Sequence, residues 1–127
     1  MKNIFMMIVV TTLTGCTTLQ GVTNSKGSGV SQRYKQPYER VWDASLRVVN
    51  ESELAIVNFD KNKGRIIAES GVSGFSWGEK VAVFVAKENN STTKVEVVSK
   101  RALKTNITAK NWSYEILHRI RELLENI

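Results

Sequence analysis

A chain of 127 residues, 42% apolar and 24% charged, supports one folded domain and excludes a two-domain enzyme or a disordered tail. Its single cysteine and single histidine exclude a disulfide framework and histidine-rich or multi-cysteine metal centres. The formal charge of +6 favours anionic partners.

Residues 1–15 read as an export signal. Lys2 supplies the positive start, and an apolar run follows from Ile4 to Val10, extended to Leu13. Ten residues of helix span about 15 Å, half of a hydrocarbon core of about 30 Å, so this is a signal-peptide core and not a membrane span. The run ends in Leu13-Thr14-Gly15-Cys16, which resembles the lipobox of bacterial lipoproteins. The resemblance implies cleavage before Cys16 and a diacylglycerol thioether on its sulfur. Small residues admit a peptidase to the backbone, and a thiol is a strong nucleophile for alkylation. Two or three acyl chains, each buried methylene contributing about 0.8 kcal/mol, hold a protein stably where one does not. Thr17 stands where an aspartate favours inner-membrane retention, so the resemblance implies the outer membrane. The expected placement is lipid-anchored on the periplasmic face. Removing residues 1–15 takes away one lysine and leaves a net charge of +5.

Residues 16–29 are rich in Thr, Ser, Gly and Asn and read as a lipidated flexible tether, about 20 Å in root-mean-square reach. Residues 30–127 form the single domain. Val30 to Lys35 is a short strand. Pro37 suits the first helical position, and Tyr38, Val41, Trp42, Ser45, Val48 and Val49 lie on one face of a helix ending near Glu53. Trp42 reads as a core anchor.

Leu54–Phe59 and Arg65–Ser70 form two strands joined by the turn Asp60-Lys61-Asn62-Lys63-Gly64, where Gly64 accommodates a positive φ. Leu54, Ala55, Ile56 and Val57 run together and leave the inward face of the first of these strands open. Gly71–Gly78 is a loop. In Glu79–Lys87, Val81, Val83 and Val85 alternate with Lys80, Ala82 and Phe84, and Thr93–Arg101 is the antiparallel partner. After a connector, Thr108 caps a final helix, Ala109–Glu125, whose stripe is Trp112, Ile116, Leu117, Ile120, Leu123, Leu124 and Ile127. The order β-α-β-β-β-β-α predicts an α+β fold: a curved, mainly antiparallel sheet with two helices packed on one face.

Tyr38, Val41, Trp42, Asp43, Ala44, Asp60 and Gly64 carry a further resemblance. Tyr-x-x-Val-Trp-Asp-Ala after a strand, then Asp-Lys-x-x-Gly between two strands, resembles the small lipoprotein domains related to BamC over roughly residues 30–126. That resemblance implies a helix-grip fold and a place among accessory proteins of the outer membrane. This chain has one such domain and a short tether, where BamC has two domains and a long N-terminal region.

Chemistry-bearing patterns are sparse. His118 is expected in solvent between Glu115 and Glu122, with no second nitrogen or thiolate ligand to complete a metal site. No serine sits in Gly-x-Ser-x-Gly, and Ser73–Gly78 lacks the Gly-Lys-Ser/Thr ending of phosphate loops. Asp43, Glu51, Glu53, Asp60, Glu69 and Glu79 are scattered over elements that nothing forces together. The expectation is therefore a protein without catalysis, metal or cofactor.

Two surface groups are candidates for partner binding: Phe75 with Trp77 on the glycine-bearing loop, and Lys100, Arg101 and Lys104 around the last strand. The expected role is a binding or scaffolding module for an envelope protein complex. The expected contacts are the membrane, through acyl chains on Cys16, and an envelope protein; an exported lipoprotein does not meet nucleic acid. One alternative is a carrier of a small hydrophobic ligand or lipid, its cavity lined by Val81, Val83 and Val85 beside Trp42 and Trp112. Another is adhesion to murein or lipopolysaccharide, anionic envelope polymers, through the basic cluster.

Overall fold

The computed structural model describes residues 26–27, 29–70, 79–101 and 112–126. Five strands and two helices follow in order: β1 (Val30–Tyr34), α1 (Tyr38–Glu51), β2 (Ala55–Asp60), β3 (Arg65–Glu69), β4 (Glu79–Asn89), β5 (Thr92–Arg101) and α2 (Trp112–Glu125). The sheet is open and antiparallel throughout, with strand order β1-β5-β4-β3-β2. The α+β class and the element order are those the sequence predicts. Strands β2 to β5 form a meander, and β1 adds beside β5 with Val30 opposite Val97 and Tyr34 opposite Thr93.

Helix α1 carries the chain from the end of the sheet where β1 stops back to the end where β2 begins. It starts one residue later than the sequence pattern predicts. Pro37 occupies the N-cap, extended at φ −69° and ψ 157°, and its carbonyl accepts from the N–H groups of Arg40 and Val41 at 3.1 and 3.2 Å. Proline has no N–H to leave unpaired at this boundary, so either position suits it.

Both helices pack on one face of the sheet. Val41, Trp42, Val48 and Val49 of α1 and Trp112, Ile116, Leu117 and Ile120 of α2 meet Ile66, Val81, Val83, Val85, Val95 and Val97 in one core. Trp42 is 2% exposed, as a core anchor should be. The β4 valines that a carrier would use to line a cavity are packed into this core. Tyr34, buried at the end of β1, donates its hydroxyl to the Leu117 carbonyl at 2.8 Å and ties the sheet to α2.

Two features go beyond the alternation read from the sequence. Ala82 and Phe84 point away from the helices yet are 0% and 6% exposed, joining Ile67 and Val98 in a second buried cluster. Strand β4 is thus buried on both faces, which accounts for its nearly continuous apolar run. In β2 the register shifts between Ile56 and Asn58, so the chain bulges at Val57. The Leu54–Val57 run itself alternates, with Leu54 and Ile56 against the core and Ala55 and Val57 exposed, and the bulge shifts the pattern that follows.

No described helix is long and apolar enough to cross a membrane. Leu13–Cys16, Phe75, Trp77, Lys104, Thr108, Ala109–Asn111 and Ile127 lie outside the described residues, as does the side chain of Arg101.

Candidate functional site

The turn Asp60–Gly64 is built by local chemistry and then locked by distant elements. The Asp60 carboxylate accepts from the N–H groups of Asn62 and Lys63 at 3.0 and 3.1 Å, folding the chain back on itself. Gly64 follows with φ +66°, as its place in the turn predicts. Its carbonyl accepts from the Val85 N–H at 2.7 Å, and a Cβ on Gly64 would lie 2.1 Å from the Val85 carbonyl oxygen. Only glycine lets the turn lie this close to β4.

The start of α1 closes the other side. Tyr38 stacks on Trp42, their ring centroids 6.3 Å apart and nearly parallel at 14°. Its hydroxyl donates to the Lys61 carbonyl at 2.6 Å. Burial raises the pKa of that hydroxyl, and Glu39 adds to the effect. The Lys61 ammonium pairs with Glu39, and this hydrogen bond holds its pKa above the usual lysine value. Thr93 fixes the approach to the helix by donating to the Gln36 carbonyl at 2.9 Å.

Between these elements runs a groove of about 610 Å³. Its walls include Tyr38, Glu39, Asn62 and Asn90 and four lysines, Lys26, Lys61, Lys63 and Lys87. Among the described residues, Lys26, Lys63 and Lys87 form no ion pair. A second groove of about 540 Å³ adjoins the same β1–α1 junction, between Arg33 and Lys35 on one side and Arg121 and Glu125 on the other.

The remaining surface feature is the outer edge of the sheet at β2. Among the described residues no strand pairs with that edge. Phe59 is 56% exposed there and Val57 42%. The only charged side chain of β2, Asp60, is engaged with its own turn.

Of the sequence-derived candidates, Lys100 is exposed near the end of β5, opposite Lys80 in register. Lys80 itself pairs with Glu69 at 2.6 Å. Arg101 lies opposite Glu79 by backbone register. Phe75, Trp77 and Lys104 are outside the described residues. The groove lysines were missed because two of them belong to a turn and the others to distant segments. The contact of Gly64 with Val85 sets the turn lysines beside Lys87, and the Glu96 contacts to Gly27 and Gly29 bring in Lys26.

The isolated acids also find ordinary roles. Glu51 pairs with Arg47, and the buried Glu79 accepts from the Ser99 hydroxyl at 2.6 Å. His118 lies in solvent as the sequence predicts, its Nε2 3.0 Å from Glu122, while Glu115 pairs with Arg119. Among the described residues no three His, Cys, Asp or Glu side chains cluster as a metal ion needs. No protein-family model matches the chain, and no curated protein matches it.

Proposed function

We propose that the protein is a non-catalytic lipoprotein, anchored through Cys16 to the outer membrane and facing the periplasm, whose small α+β domain binds an envelope protein. The observation that carries this reading is the open β2 edge with Phe59 and Val57 exposed upon it. Natural sheets guard such edges with lysine, proline or a covering element, because unpaired N–H and C=O groups recruit another strand. Here the sequence Ala-Ile-Val-Asn-Phe-Asp has none of those side chains, and only the bulge at Val57 interrupts it. A partner segment in extended conformation adds backbone hydrogen bonds along the edge and covers Phe59. The filled core, with the β4 valines packed against both helices, supports surface binding over carriage of an internal ligand.

The test is photocrosslinking in living cells from a probe at position 59, with a second probe at the exposed Asn50 as a reference surface. The proposal expects a discrete protein adduct from position 59 and none from position 50. Adducts from position 59 to glycan or lipopolysaccharide alone would reject it.

A further inference from the structure

The two basic grooves lie at one end of the sheet, and Lys26, the first described residue, lines one of them. Glu96 points to the face opposite the helices, where its carboxylate accepts from the Gly27 N–H at 2.8 Å and the Gly29 N–H at 3.0 Å. Without this clip, residues ahead of β1 would leave the sheet near Val97, midway along β5. With it, the chain folds back across β5 and brings Lys26 into the lysine groove. Ten residues separate Lys26 from Cys16, a span on the order of 18 Å for chain of this composition.

We infer that the groove formed by Lys26, Lys61, Lys63 and Lys87 rests on the phosphate headgroups of the membrane that holds Cys16, so that the domain stands on its basic end. The lining sets four ammonium groups against one carboxylate, Glu39. Lys35 and Arg121 in the neighbouring groove extend the same positive surface. A lysine near an anionic bilayer contributes attraction that fades within a Debye length, about 8 Å at physiological salt, so only an end held this close benefits. The groove is open to solvent, its lysines standing beside Pro37, Tyr38, Val85 and Ala86, and does not enclose a ligand. This orientation holds the C-terminal end of α1 and the start of β2 away from the bilayer and Phe59, two residues before Lys61, close to it, so a partner on the β2 edge binds beside the membrane. The inference rests on the reading of Cys16 as the acylated residue.

The experiment uses the full chain purified from membranes, with acylation first verified by intact mass. A fluorophore is placed on Asn62→Cys in the groove or on Asn50→Cys, about 18 Å along α1 from Tyr38. The protein is reconstituted in vesicles carrying a headgroup quencher, made either with phosphatidylglycerol or of phosphatidylcholine alone. The expected result is severalfold stronger quenching at position 62 than at position 50 with phosphatidylglycerol. That difference should shrink in high salt and in the K26Q/K63Q/K87Q variant, whose fold is checked by circular dichroism. Equal quenching at both positions, or quenching at 62 that ignores phosphatidylglycerol and the lysines, would overturn the inference. So would headgroup proximity at position 62 that appears only after adding an acidic envelope protein. If the mass shows no acyl chains, the Cys16 reading fails separately, and the same chain is sedimented with the vesicles. Attachment that weakens about fivefold per lysine removed then supports the groove; absence of attachment overturns it.

Discussion

The hydroxyl of Tyr38 donates to the backbone carbonyl of Lys61 across 2.6 Å, joining the first residue of α1 to the turn between β2 and β3. Both partners line the lysine groove, and the same ring stacks on Trp42. Tyr38→Phe keeps the stacking and removes the bond. The expected loss of stability is about 0.5–1.5 kcal/mol in urea unfolding. Amide exchange in residues 61–64 should rise while the β4–β5 ladder keeps its protection.

Gly64 meets two demands at once, a positive φ and contact with the Val85 carbonyl. Gly64→Ala therefore costs more than the roughly 1 kcal/mol of an ordinary left-handed glycine, on the order of 2–4 kcal/mol. A shift of the denaturant midpoint checks the magnitude. Exchange at the Val85 amide, which donates to Gly64, reports the location.

Glu96→Ala removes the acceptor of both the Gly27 and Gly29 N–H groups. Charge-assisted bonds of this kind contribute about 1.5–3 kcal/mol each when fully retained. The expected outcome is rapid exchange and protease cleavage around residues 26–29, with the sheet intact. Glu96→Gln, which keeps an acceptor oxygen, should lie between the two.

Burial pushes the pKa of Tyr34 up to about 12, with the Arg121 charge opposing the shift. The neutral phenol is the form the fold prefers, as its bond to the Leu117 carbonyl requires. A folded pKa above the unfolded value of 10.0 means this contribution is complete below pH 10 and is lost as pH rises towards 12. Denaturant unfolding across that window should show declining stability in the parent chain. The decline should be shallower in Tyr34→Phe, which has no phenol to ionise.

How far the sequence anticipated this structure depends on the range of the interaction. The 3.6-residue stripes of α1 and α2 and the Asp60–Gly64 turn are local patterns: the turn forms as read, α1 spans Tyr38–Glu51 within the expected segment, and α2 ends at Glu125 as expected. Tyr38, Trp42, Asp60 and Gly64, singled out by resemblance, converge on one structural lock. The second cluster beneath Ala82 and Phe84 was not legible, since alternation along β4 says nothing of what covers its other face. Nor was the groove. Lys26 and Lys87 are 61 positions apart in the chain and meet only because Glu96 folds the approach to β1 back across the sheet.

Anchoring at Cys16 and protein binding at the β2 edge are one claim if the membrane concentrates the domain beside its partner. The most direct measurement is the adduct yield from a photocrosslinking probe at position 59, compared between the parent chain and Cys16→Ser in the same cells. The expected result is a discrete protein adduct in the parent, where intact mass shows acyl chains, and its near-complete loss in Cys16→Ser at equal protein level. An adduct of equal yield in both chains, or no protein adduct in the acylated parent, would contradict the account.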